Sequence, residues 1–385
     1  MTAGSSVPTD FIPFPQRPML LLFSDDSTLF FALRMRACLQ AEDPDLKVEM
    51  GWVVAENALS YRQMAQLLPE GPDIALPGKT AFRELMLAHR YRAIVTSRVY
   101  GALRIQLKNT ALHLTAERPC VVAFLGGLDF FPLKGRANRR YCDGVFLVPR
   151  SELAAFEAQA KDWDDRMWQE LDFGHPSFLT PTPPDPDQQT QRRDIYFFAQ
   201  ALSPSTRRAR LHMLRAMAAI ARANPDRQVW IKLRHLPDEN RQHLHQEKYD
   251  YTSLMDALPD VPDNLQLTAC TMDEALANAG LGITCTSTAA VDIVRAGVPC
   301  MVHLDFVDNY LDQLVEPMRQ LFADSGLITS LEDMLCLRTQ DPAQKWLDEM
   351  FCSRDLGQQV LAMVERFDKR PLQITAYELS SQNQA

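Results

Sequence analysis

Short, unbroken apolar runs bounded by polar or turn residues recur along the first half of the chain. They are MLLLFS (19–24), KVEMGWVV (47–54), RAIVTS (92–97), PCVVAFLG (119–126) and DGVFLVP (143–149). Runs of this kind predict strands of a parallel sheet buried on both faces, and the stretches between them carry helical patterns. SELAAFEAQAKDWDDRMWQEL predicts one amphipathic helix ahead of FGHPSF. The segment TPTPPDPDQQTQRR (180–193) then interrupts the pattern, because its prolines remove backbone donors and break helix and sheet alike. Beyond it the rhythm restarts with DIYFFAQ (194–200), a helix from about Ser205 to Ala223, QVWIKLR (228–234) and NLQLTA (264–269). A helix TMDEALANA, the strand LGITC (281–285), a helix from Ala289 to Ala296 and PCMVHLDF (299–306) follow. The last helical stretch, AQKWLDEMF to LAMVERF, has no strand after it and could pack on either half.

Two successive β/α series predict an α/β protein of two Rossmann-like doubly wound domains facing across a cleft. The expected division is an N-terminal domain at 1–180, a linker at 181–193, a C-terminal domain at 194–370 and a tail at 371–385. A length of 385 residues, about twice that of one domain, agrees. Open sheets of this class bind ligands at the C-terminal ends of their strands, so the chemistry is sought there.

Charge narrows the choice of partners. The net charge is −9, which argues against a nucleic-acid binder that covers phosphates with Lys and Arg. Residues 1–180 are nearly balanced, with 20 basic and 21 acidic side chains, so a local basic surface belongs to the first half. The eight cysteines are scattered through apolar runs with no C-x-x-C pair, as expected of small core residues in a reducing compartment. The N-terminus lacks a basic region leading into an apolar one, and no window supplies a membrane span. A cytoplasmic protein is expected, peripheral at most to the inner face of a membrane.

The strand ends carry the candidate chemistry. Thr286, Ser287 and Thr288 leave an apolar strand and enter a helix, where hydroxyls and free N–H groups can hold a phosphate; capping alone is the competing use. Lys232, Arg234 and His235 gather at the end of QVWIKLR, with His235 able to donate a proton or hydrogen bond to a departing phosphate. Gln200, Ser203 and Ser205 close the first strand of the second series, and no G-x-G-x-x-G accompanies them, which weakens a dinucleotide oxidoreductase. In the first half, Asp25 and Asp26 end MLLLFS, where one can deprotonate an acceptor hydroxyl and one can cap the next helix. Gly126, Gly127 and Asp129 end PCVVAFLG and could line an acceptor site. The run Lys134 to Arg140 suits a solvated loop, an anionic acceptor or a lipid surface. His243 and His245 lie in a polar segment without a ligand cluster, so no metal is expected.

The arrangement resembles the GT-B glycosyltransferases, whose second domain binds a nucleotide-sugar donor. Arg234-His235-Leu236-Pro237 is similar to the His-Pro motif of bacterial sialyltransferases, polysialyltransferases and Kdo transferases, and Thr286-Ser287-Thr288 to their Ser/Thr-rich motif. The segment CTSTAAVDIVRAGVP, with DFVDNY and SGL, looks like a group of uncharacterised glycosyltransferases. The resemblance implies that His235, Ser287 and Thr288 hold the CMP phosphate of a sialic-acid-like or Kdo donor. It also implies that Asp25 or Asp26 is the base. Leu236 interrupts the His-Pro pair and Asp25-Asp26-Ser27 lacks the family's acidic-acidic-Gly ending, so the base and the nucleotide stay open. Sugar would pass to a glycan or lipid-linked acceptor with no cofactor, no metal and no nucleic acid. The alternatives are a UDP-sugar 2-epimerase and a non-catalytic nucleotide- or glycan-binding protein of polysaccharide assembly.

Overall fold

The computed structural model describes residues 13–56, 58–109, 118–125, 131–163, 168–181, 192–243 and 245–370. Its strands are β1 Met19–Phe23, β2 Val48–Val53, β3 Ile74–Leu76, β4 Ala93–Thr96, β5 Cys120–Ala123, β6 Gly144–Leu147 and β7 Glu170–Phe173 in the first lobe. The second lobe holds β8 Asp194–Phe198, β9 Val229–Lys232, β10 Leu265–Thr268, β11 Ala279–Thr284 and β12 Cys300–Val302. Two parallel sheets result, ordered β3-β2-β1-β4-β5-β6-β7 and β10-β9-β8-β11-β12. This is the expected α/β architecture of paired Rossmann-like units.

In each sheet the chain moves outward from the first strand and then returns to its other side. The order therefore reverses between β1 and β4, and again between β8 and β11. Loops leaving neighbouring strands diverge there and leave a crevice at the strand ends. Burial explains why those strands were readable: β1 is buried at all five positions, and β4, β5 and β6 at all four.

Two strands depart from the expected pattern. The helix expected across SELAAFEAQAKDWDDRMWQEL ends at Ala160, and Glu170–Phe173 pairs with β6 as the edge strand β7. Its polar Glu170 and Asp172 are half-buried beside Leu171, which hides the apolar signal of a strand. The short β3 at the other edge escapes for the same reason, being fully buried only at Leu76.

The C-terminal helix Leu356–Asp368 returns to the first sheet. Val360, Met363, Val364 and Phe367 share a core with Phe31, Met35 and Leu39 of the helix Asp26–Glu42, and with Val122 of β5. Contact is close enough to require glycine. A Cβ at Gly357 would run into the backbone carbonyl of Cys38. Arg92 adds an ion pair to Asp368 at 2.9 Å. Among the described residues no helix is long and apolar enough to cross a membrane.

Candidate functional site

At the end of β1 the two adjacent aspartates have separate tasks. Asp25 caps the helix Asp26–Glu42: its Oδ1 accepts from the Thr28 amide at 3.0 Å, while Thr28 Oγ1 accepts from the Asp25 amide at 3.0 Å. Its Oδ2 accepts from Arg98 Nη1 at 3.0 Å and Ser24 Oγ at 3.1 Å. Asp26, one residue on, points across the cleft. Arg234, just past β9, donates Nε to its Oδ2 at 3.0 Å and Nη2 to its Oδ1 at 2.8 Å. Burial alone would push the Asp26 carboxyl up, but the Arg234 guanidinium outweighs it and holds the group below its ordinary value.

Two more ion pairs bridge the lobes. Arg34 meets Asp292 at 2.8 Å and also donates to Ser177 Oγ at 2.7 Å. Arg62 grips Glu239 through Nε at 2.7 Å and Nη2 at 2.9 Å, with Ser60 Oγ donating at 3.3 Å. Neither arginine stood out in the sequence, where each looks like an exposed charge on an amphipathic helix.

Between the lobes lies a cavity of about 420 Å³. Gln200 enters it from the end of β8, Lys232 from β9 and Thr286, Ser287 and Thr288 from β11, while Arg34, Arg62 and His175 face them from the first lobe. Burial holds the Lys232 ammonium below the usual lysine value, and its Nζ donates to the Leu233 carbonyl at 3.4 Å. Gln200 Oε1 and Thr286 Oγ1 are buried without a hydrogen-bond partner among the described residues. Unspent polar atoms beside a half-buried lysine form a wall suited to a polar, anionic ligand. Ser287 Oγ accepts from the Ala289 amide at 3.2 Å, and Thr288 is exposed at the cavity rim with no side-chain cap bond.

A second cavity of about 550 Å³ opens beyond the C-terminal ends of β1 and β4, lined by Arg98, Tyr100, Phe131, Lys134 and Arg139 among others. Asp26, Ser27, Arg234 and His245 line both cavities. The Asp26–Arg234 pair therefore stands on the boundary between two binding spaces.

The other expected residues are placed as follows. His235 lines neither cavity: it is 1% exposed, its ring stacks on His243 at 4.3 Å, and Nε2 pairs with Asn240 Oδ1 at 3.0 Å. The imidazole that reaches the boundary is that of His245, ten residues on, and a polar loop gives no sequence signal for which ring turns inward. Ser203 is sealed and Ser205 lies off the cavity, while Thr206 caps the following helix by accepting from the Ala209 amide at 3.0 Å. Arg210 fixes this turn by donating to the carbonyls of Gln200, Ala201 and Pro204 at 2.9, 2.6 and 2.8 Å. Gly126, Gly127 and Asp129 lie outside the described residues. Among the described residues, no three His, Cys, Asp or Glu side chains are grouped to hold a metal.

Comparison with solved structures finds the same fold elsewhere. The chain is similar to the UDP-GlcNAc 2-epimerase of Methanocaldococcus jannaschii in complex with UDP-GlcNAc and UDP, at 10% identity and a TM-score of 0.55, covering 91% of this chain and 99% of that one. It is similar to S. aureus MnaA with UDP, at 9% identity and a TM-score of 0.54, covering 93% and 100%. Acinetobacter baumannii MurG aligns with 12% identity and a TM-score of 0.49 over 90% and 99% of the two chains. At these identities the likeness shows the fold alone. A search of curated proteins finds no match by sequence. Residues 19–367, from the first strand to the end of the C-terminal helix, match one family model, and the chain belongs to that family, described as "Putative glycosyltransferase (DUF6716)".

Proposed function

We propose that the protein transfers a sugar from a nucleotide-sugar donor to a hydroxyl of a glycan or lipid-linked acceptor. The observation that carries this reading is the placement of Asp26 and Arg234 on the boundary between two cavities. An enzyme that joins two substrates needs an acid-base group and a cation where they meet, and this pair supplies both.

The donor occupies the 420 Å³ cavity, with its phosphate near Lys232, Gln200 and the hydroxyls of Thr286 to Thr288. As the bond from the anomeric carbon to the phosphate oxygen breaks, negative charge collects on that oxygen. Lys232 and Arg234 are fixed to stabilise it, a task met elsewhere by a metal ion. The acceptor hydroxyl arrives from the other cavity. Its oxygen bonds to the anomeric carbon and its proton passes to Asp26. A carboxylate held low is ionised but weakly basic. The donor phosphate gives Arg234 a second anion to bind, and as the guanidinium shifts toward it the Asp26 carboxyl rises and becomes a better base. His245 sits at the same boundary and can hydrogen-bond the leaving phosphate.

UDP bound in the epimerase and MnaA structures supports a nucleotide in this cleft. The motif resemblance of Arg234 to Pro237 and Thr286 to Thr288 supports a CMP-linked sialic acid or Kdo as the sugar donor. Thermal shift with UDP and CMP separates the two, because a ligand that binds only the folded state raises its melting temperature. Transfer is then assayed with and without acceptors. Turnover that requires an acceptor and falls in Asp26→Asn supports the reading. Epimerised donor formed without any acceptor would replace it with an epimerase.

A further inference from the structure

We infer that the acceptor is anionic, carrying a carboxylate or phosphate beside the hydroxyl that reacts. The inference rests on the transferase reading in that the 550 Å³ cavity is taken as the acceptor's side. Among the described residues, Arg98, Lys134 and Arg234 line this space against the carboxylates Asp25 and Asp26, while Arg139 is built into its wall. The two carboxylates are already engaged. Asp26 is held by Arg234 through both oxygens, and Asp25 serves its helix cap and one nitrogen of Arg98. A neutral sugar would leave the Lys134 ammonium with no counterion among the described residues, in a concave space where field lines are focused.

Two of the cations are placed to receive the charge. Lys134 is exposed and forms no hydrogen bond or ion pair among the described residues. Arg98 commits only Nη1 to Asp25, and its side chain is 48% exposed. It lies over the Tyr100 ring at 5.8 Å, and Phe131 stands at 68% exposure on the Lys134 side. An exposed aromatic ring beside these cations suits a sugar ring with an acidic substituent: the ring takes the apolar contact and the acid takes the charge. Arg139 serves the wall itself, donating to the carbonyls of Phe124, Gly135 and Ser97. The cavity thus separates cations that build it from cations that face into it.

The test measures binding rather than turnover, by saturation-transfer NMR on the full chain. The probes are glucose, glucuronate and glucose 6-phosphate, which share a ring and differ in the acid. Glucuronate or glucose 6-phosphate should bind about tenfold more tightly than glucose, worth ~1.4 kcal/mol. Preference for one of the two identifies the acid as carboxylate or phosphate. Lys134→Gln, which removes no side-chain hydrogen bond or ion pair among the described residues, should abolish most of the preference, and Arg98→Gln should do the same. Lys232→Met, in the other cavity, should leave it intact. Equal binding of all three sugars, no binding of either acid, or a preference lost in Lys232→Met and kept in Lys134→Gln would overturn the inference. An active transferase that prefers neutral acceptors sinks this inference alone. A chain that binds acidic sugars through Lys134 and Arg98 yet transfers nothing sinks the transferase reading and leaves the cavity an acidic-sugar site rather than an acceptor site.

Discussion

Arg234 holds both oxygens of Asp26, at 3.0 and 2.8 Å, across 208 residues of chain and from the opposite lobe. Because the two side chains are only 21% and 10% exposed, removing one leaves the other's charge poorly solvated. Arg234→Gln should therefore cost about 2–4 kcal/mol of stability in urea unfolding, and Asp26→Asn/Arg234→Gln should cost less than the sum of the single changes. Transfer should fall by about 10²–10⁴-fold in Asp26→Asn, the range for loss of a general base. Additive stability effects would show that the pair is not coupled.

Lys232 lines the cavity between the lobes and forms no ion pair among the described residues. Burial holds its charge at a cost, and the described residues give it a carbonyl rather than a carboxylate. Lys232→Met should leave the melting temperature unchanged or higher while weakening nucleotide binding by about tenfold or more, measured by calorimetry. Undiminished nucleotide affinity in this variant would remove the phosphate from this wall.

The two histidines should separate cleanly. His245 faces both cavities, whereas His235 is packed on His243 and bonded to Asn240. His245→Gln should lower kcat by about tenfold or more with the fold intact. His235→Ala should lower stability, through lost packing, more than it lowers kcat at a temperature where the variant stays folded. The opposite ranking would return the chemistry to His235.

The contact between Arg62 and Glu239 gives the closed arrangement an acid limit. The Arg62 hydrogen bond pulls Glu239 down to about 2 from its ordinary 4.5. A carboxylate held lower in the folded chain than in the unfolded one adds stability that is fully present above pH 4.5. That stability is lost as the pH falls toward 2. Over this window the urea midpoint of the wild type should fall more steeply than that of Glu239→Gln. Parallel curves would show that the bridge contributes nothing to closure.

The sheets were legible in the sequence because interior parallel strands are uniformly apolar, as MLLLF and CVVA are. The two edge strands of the first sheet were not: ELDF carries two acids and is fully buried only at Phe173, and IAL is too short to form a pattern. The residues that line the second lobe's cavity, Gln200, Lys232 and Thr286 to Thr288, were found by their position at strand ends. Local signals could not show that Asp25 would be consumed as a cap while Asp26 crossed the cleft. Nor could they show which of His235, His243 and His245 reaches the cavities. Those outcomes depend on partners such as Arg234 and Arg98, which tertiary folding alone brings near.

The return of Leu356–Asp368 to the first sheet means that the polypeptide crosses between the lobes twice, once between β7 and β8 and once just before this helix. A body joined to another at two points can swing about the line through them but resists twisting. Opening and shutting is then the permitted motion, and each shutting brings Arg234 back to the same aspartate. Clipping the chain ahead of Leu356 would do more than shorten a tail: it would remove the second pivot and strip the cover from the sheet that carries Asp26.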